Sequence, residues 1–259
     1  MQLSKSALQK IPSSTRRSGR SKRFSFASFL SLLVFFHASS ASAANWACTE
    51  DMTPIRLDLK VEASASFSGA STDITIPKSY IIDPEQWSGG EQRILVLGID
   101  ANDMSPLCKN HSKMIGGQFG QNAFLAPDRT YEDAVWIHVR PTKFEAGVDH
   151  VGKFIELERK VYTELVSEDN QGFTVYKNPL SPSYKQETLH IPHEGLFQNK
   201  VKITCMTFIG KEDHGVCEAH AREKDALAYS YTFKAKKWMK DLPTLDGNIR
   251  KLLDQFSKH

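Results

Sequence analysis

Acidic residues are absent from the first 43 positions of this 259-residue chain, where seven lysines and arginines occur without a counter-charge. Long apolar runs are missing too. The longest, Phe24 to Phe36, is interrupted by serines and ends after 13 residues, short of the roughly 20 that span a bilayer. Cysteine is scarce, with four in the whole chain, and no two are spaced Cys-x-x-Cys, which removes the zinc-ribbon and thioredoxin-like patterns. The sequence has no GxSxG, HExxH or GxxxxGK[ST] motif and no complete EF-hand loop, so it lacks the signatures of the corresponding hydrolases, zinc proteases, nucleotidases and calcium proteins. Beyond residue 43 the one short basic cluster, Lys234 to Lys237, reads as a solvated turn, and a nucleic-acid role would need a clustered basic face.

What is present at the N-terminus has the layout of a secretory signal: Lys5, Lys10, Arg16, Arg17, Arg20, Lys22 and Arg23, then the apolar run, then small residues ending in Ala41, Ser42 and Ala43. The expectation is a signal peptide over 1–43, cut after Ala43, and a periplasmic or secreted product. An uncleaved anchor is the alternative, and membrane attachment is expected only in that case. Removing seven positive charges from a chain of net +3 leaves −4 on the 216 residues that remain. The basic character of the whole chain therefore belongs to the targeting segment.

Cys48, Cys108, Cys205 and Cys217 all follow the expected cut, and an even count in an oxidising compartment reads as a disulfide framework. A strand over 201–208, a turn over Gly210 to Gly215 and a returning strand would place Cys205 opposite Cys217. Cys48 with Cys108 follows by elimination.

Period-two patterns dominate the rest. Ile55 to Val61 alternates strictly, Asp73 to Ile76 and Ser79 to Ile82 read as short strands, and the more continuous run Arg93 to Ile99 reads as a central strand. Ala134 to Arg140, Phe173 to Tyr176, Leu189 to Ile191 and Leu227 to Phe233 continue an antiparallel meander. Val151 to Val166 is ambiguous between helix and strand, with strand favoured from Tyr162 onward. Leu245, Ile249, Leu252, Leu253 and Phe256 form a helical stripe, with Thr244 as N-cap after Pro243. The fold expected is α+β: a mainly antiparallel sheet, stapled by disulfides, with a C-terminal amphipathic helix packed on it. One domain over 44–259 is expected, with a subdivision near 141–150 as the alternative.

The segment from Asp100 to Arg129 is polar and irregular, and long loops of this kind carry binding residues. Asp100, Asn102, Asp103, Asn110, His111, Gln118 and Gln121 are its candidate contacts, while Met104 and Ser105 break a calcium pattern at Asp100 to Asp103. His190 and His193, with Glu194, are the densest group of candidate metal ligands or bases, and His214 and His220 flank Cys217. Residues three apart on a strand face opposite ways and Pro192 lies between His190 and His193, so no metal and no cofactor are expected. No catalytic residue can be named.

Tyr229 to Phe233, Trp238 and the Leu252 to Phe256 helix, with Ile76 to Tyr80, Trp87 to Gly90 and Asp103 to Pro106 in the N-terminal half, resemble uncharacterised bacterial periplasmic and cell-envelope proteins, including lipoproteins. The resemblance implies a periplasmic setting and one domain running to the C-terminus, and carries no activity. The function expected is noncatalytic binding of a protein partner in the cell envelope, without nucleic acid. An inhibitor or immunity-type protein neutralising a secreted effector is one alternative, and a periplasmic hydrolase or metalloenzyme using His190 and His193 is the other. Intact-mass analysis of the periplasmic fraction should find a chain beginning at Ala44; recovery of the full-length chain in membranes would support the anchor instead.

Overall fold

The computed structural model describes residues 47, 49–63, 69–110, 132–142, 149–198, 200–223 and 227–257, all within the unit Ala43–His259. The chain begins with a small sheet. Strand β1 (Pro54–Val61) pairs antiparallel with β2 (Ala70–Pro77) and parallel with the short β3 (Gly90–Gln92). The alternation read in the sequence puts Leu57 and Leu59 of β1 and Ile74 and Ile76 of β2 on one buried face. Between β2 and β3 the chain makes two 3-10 turns, Lys78–Tyr80 and Pro84–Ser88. The first replaces the strand expected at Ser79 to Ile82, of which a single bridge at Ile81 remains. Gly89, at φ +74°, lets the backbone turn beside β1, where a Cβ would lie 2.7 Å from the Arg56 carbonyl oxygen.

The large sheet follows from β4 (Leu95–Asp100), α1 (Leu107–Asn110), β5 (Ala134–Pro141), α2 (His150–Glu158), β6 (Glu164–Ser167), β7 (Phe173–Lys177), β8 (Lys185–Pro192), β9 (Lys202–Phe208), β10 (Lys211–Glu223) and β11 (Leu227–Lys234). Its eight strands run in the order β4-β5-β11-β10-β9-β8-β7-β6, each antiparallel to its neighbours. Strands β6 to β11 form a consecutive meander, and β11 returns to lie beside β5. Leu97, Ile137, Tyr231, Ala219, Ile203, His190 and Val175 lie directly opposite one another across seven strands. This row is the centre of the buried inner face. Strand β4 is an edge strand rather than a central one. Its apolar run reflects cover on both faces and on its free edge, where Ile81 bridges Leu97 and Pro106 bridges Ile99. On the outer face Ile82, Leu107 and Trp136 pack around Val96, and a Cβ on Gly98 would sit 2.6 Å from the Ile82 side chain.

Cys205 and Cys217 are directly opposite in β9 and β10 and form a disulfide across a sequence separation of 12. The chain-entropy account puts such a bridge at about 3 kcal/mol through the unfolded state. The reversal occurs at Ile209 and Gly210. The 211–215 stretch expected as turn belongs to β10 and carries a register shift between Lys211 and Val216. Cys108 is also disulfide-bonded; Cys48 lies outside the described residues.

After β11 come α3 (Ala235–Trp238) and α4 (Leu242–Phe256). The expected solvated turn at Lys234 to Lys237 is instead a buried strand end at Lys234 followed by this short helix. It is held because Lys237 pairs with Asp133 and the Trp238 indole donates to the Glu132 carbonyl at 2.9 Å. Helix α4 starts three residues before the expected position, with Asp241 as N-cap and Pro243 in its first turn, where a missing N–H costs nothing. Leu245, Ile249, Leu252, Leu253 and Phe256 are all buried in the core shared by both sheets. Asp246 is buried among them and accepts a hydrogen bond from the Tyr229 hydroxyl at 2.9 Å. Tyr231 stacks beside Tyr229 with ring centroids 6.1 Å apart. Burial, and then the Asp246 charge, push both phenols well above the usual tyrosine range, so they remain protonated.

Tyr229→Phe keeps the ring and removes the donor to a buried carboxylate. It should lower the unfolding free energy in urea by about 1–3 kcal/mol, with the far-UV spectrum unchanged.

Candidate functional site

The described part of the expected binding loop spends its polar atoms on its own turns. The Asp100 carboxylate, at the end of β4, accepts from the Asn102 backbone at 2.9 Å and its side chain at 3.0 Å. Asp103 accepts from the Ser105 backbone at 2.9 Å and lies 3.9 Å from Lys109. Asn110 ends α1, while His111, Gln118 and Gln121 lie outside the described residues.

His190 and His193 are separated. His190 lies on the inner face of β8, buried, with its Nε2 2.9 Å from the Thr188 hydroxyl and its ring edge-on to Phe173. His193 lies beyond the end of the strand and is exposed, with its Nε2 3.1 Å from the Glu168 carbonyl. Among the described residues, no group of three or more His, Cys, Asp or Glu is placed to hold a metal.

The structure gathers a different set. Alternation turns Cys217, Ala219 and Ala221 of β10 inward, so Glu218 and His220 face out. By the same rule Ser230 faces out from β11 and His138 from β5. Ser230 lies directly opposite His138 on one side and His220 on the other, while Glu218 lies opposite Thr232 and Thr204. The result is a half-buried polar floor across four strands. The Glu218 carboxylate lies 3.5 Å from the His220 imidazole. Burial alone would raise the Glu218 carboxyl, but hydrogen bonds from His220 and Ser230 and the charges of His220 and His138 outweigh it and bring it down to about 2. Burial pushes His138 below the ordinary histidine value; Glu218 opposes this, and Arg140 and His220 add to it. A general base works best with a pKa near the working pH. Glu218 is far too acidic for that, and Ser230 is bonded to this carboxylate.

Beyond this floor, α2 packs against β9 and β10 with its mixed side inward. Asp149 caps it, accepting from the Gly152 N–H at 2.8 Å. Glu158 pairs at 2.7 Å with Lys202, a lysine buried on the outer face of β9. Arg159 lies over the Tyr176 ring, 3.2 Å from its centroid. Val151 and Ile155 are half-buried, whereas Phe154 and Leu157, with Val161 three residues beyond the helix end, are 55, 52 and 48 % exposed, and no residue of α2 is buried. On a helical wheel Phe154 and Leu157 fall about 60° apart, so they lie on one side of the helix. The chain then enters edge strand β6, where Leu165 and Val166 are also exposed. This helix, with Phe154 and Leu157 left outward, is the second feature that a list of motifs could not reveal.

The titrations predict a pH dependence. His190, lowered to about 4 by burial alone, stays neutral when folded but takes up a proton near pH 6.5 when unfolded. Its contribution is therefore complete above pH 6.5 and is lost as pH falls towards 4, by about 3 kcal/mol at most. Glu218 acts in the same direction over a lower window, from its ordinary value of 4.5 down to about 2. Urea titrations at pH 7 and pH 4.5 should show the first loss in the wild type and a smaller one in His190→Gln.

No protein-family model, curated protein or solved structure matches this chain.

Proposed function

We propose that this is an exported, noncatalytic binding protein that engages a protein partner through the outward face of α2. The reading is carried by one observation: α2, tied to its own sheet through Glu158, leaves Phe154 and Leu157, and Val161 just beyond its end, in solvent. Monomeric proteins bury such a stripe, and a contiguous exposed one marks an interaction surface. Export is supported by the basic and apolar N-terminal layout and by disulfide-bonded Cys108, Cys205 and Cys217, since disulfides persist in oxidising compartments. An inhibitor or immunity-type role is one form of this activity. The hydrolase alternative is weakened by the separation of His190 from His193 and by the acidity of Glu218.

Phe154→Asp combined with Leu157→Asp tests the reading, because both positions are exposed and the pair should shift the melting temperature little. In a periplasmic pull-down with tagged protein, the folded double variant should lose the species that the wild type retains. Equal capture by both would overturn the proposal.

A further inference from the structure

One end of the large sheet carries apolar side chains that no described residue covers. The β7–β8 connection and the β9–β10 turn lie side by side there, since Lys185 pairs with Phe208 and the Ile209 N–H donates to the Tyr184 carbonyl at 3.1 Å. Leu180, Tyr184 and Ile209 lie on these two tips, 87, 63 and 63 % exposed, and Leu180 is the most exposed large apolar residue described. No charged residue occurs over 178–184 or 203–210. The charges bordering the longer connection are matched, Lys177 with Glu164 at 2.7 Å and Lys185 with Glu187 at 2.6 Å. That connection also turns its hydrogen bonds inward. Pro179 and Pro182 have no N–H, the Leu180 and Ser181 N–H groups return to Asn178 at 2.9 and 3.2 Å, and the Lys185 N–H returns to the Pro182 carbonyl at 3.0 Å. Glu187 accepts from the Asn178 amide at 3.1 Å and the Ser181 hydroxyl at 3.2 Å. A tip folded and bonded within itself in this way enters an apolar medium at lower cost. We propose that this end of the sheet dips into the interfacial layer of a lipid bilayer, with Leu180 and Ile209 among the upper acyl carbons and the hydroxyls of Ser183 and Tyr184 at headgroup level, where tyrosines concentrate.

Two features select a lipid layer over a protein, whether a second copy or a different chain. A protein interface carries about one hydrogen bond per 100–200 Å², and the longer tip has turned its donors to Asn178, Pro182 and Glu187. Protein anchors are received by pockets shaped to them, whereas a fluid layer accepts separate protruding side chains in any arrangement. The matched border charges, and the acids Glu212 and Asp213 that follow Lys211 in sequence, select a zwitterionic surface over an anionic one. These tips are at the end of the sheet, apart from the outward side of α2, and the proposal needs no partner bound there.

Tyr184→Trp sets a fluorophore at the tip. With phosphatidylcholine vesicles brominated on the acyl chains near the glycerol end, the full chain carrying this substitution should be quenched more than the wild type. Leu180→Asp combined with Ile209→Asp in the same background should abolish the added quenching and lower the vesicle partition coefficient by about a hundredfold, as two apolar side chains withdrawn from the layer imply. Both positions are exposed, so the melting temperature should hold. Adding phosphatidylglycerol should not strengthen binding. No added quenching, or quenching that persists in the double aspartate variant as an N-terminal anchor would produce, overturns the proposal. Binding that requires phosphatidylglycerol and disappears in salt overturns it as well, since charge attraction would then replace apolar insertion. Where quenching is absent, a dimer or a captured protein that the double variant loses would identify the occupant as a second copy or a different protein.

Discussion

A single buried carboxylate governs how this fold is sealed. Apart from His190, the row from Leu97 to Val175 on the inner face of the eight-stranded sheet carries apolar and aromatic side chains, which would accept an apolar helix in several rotations and registers. Asp246 removes that freedom. Its charge cannot be left in an apolar layer without donors, and the Tyr229 hydroxyl meets it at 2.9 Å. A shift of α4 by one residue would move the carboxylate away from Tyr229 and turn the Leu245, Ile249 and Leu253 stripe out of the core. The other contacts of α4 depend on that setting, including the edge contact between Tyr80 and Phe256 at 5.2 Å, which links the helix to the turn after β2. A polar group that is costly unless satisfied thus positions a surface that hydrophobicity alone would leave loosely specified.

The sequence showed the elements better than their neighbours. Strict alternation marked β1 and β11, the period-3.6 stripe marked α4, and a cysteine on each of two strands joined by a tight turn marked the β9–β10 bridge. These are local signals. The position of β4 was not legible, because a continuous apolar run says that both faces are covered but not whether the cover is strand, turn or helix. Ile81, Ile82, Leu107 and Pro106 supply that cover, and all lie outside the strand. The turn at Lys234 to Lys237 was misread for a similar reason: Asp133 and Glu132, which hold α3, are a hundred residues away in sequence.

The candidate sites divide along the same line. Outward-facing Glu218, His220, Ser230 and His138 can each be inferred from alternation within its own strand. That they form one floor depends on the registers of two strand pairs, which one sequence does not encode in any local pattern. Helix α2 shows the limit from the other side. Its apolar spacing was visible and gave the helical alternative at Val151 to Val166, but the usual inference from such spacing is that the apolar side faces inward. Here Lys202 and Tyr176 on the sheet hold Glu158 and Arg159, Val151 and Ile155 are half-buried, and Phe154 and Leu157 are left outside.

The return of β11 to β5 sets the order in which the molecule can be completed. A chain emerging from its N-terminus can pair β4 with β5 early. The other edge of β5 then waits until the meander from β6 to β10 and the whole of β11 have appeared, since Pro141 pairs with Leu227 and Trp136 with Thr232. Such long-range pairing is slow, and an unpaired apolar strand edge is prone to mispairing while it waits. The kinetic vulnerability of this protein therefore lies at β5, in the interval before β11 pairs with it.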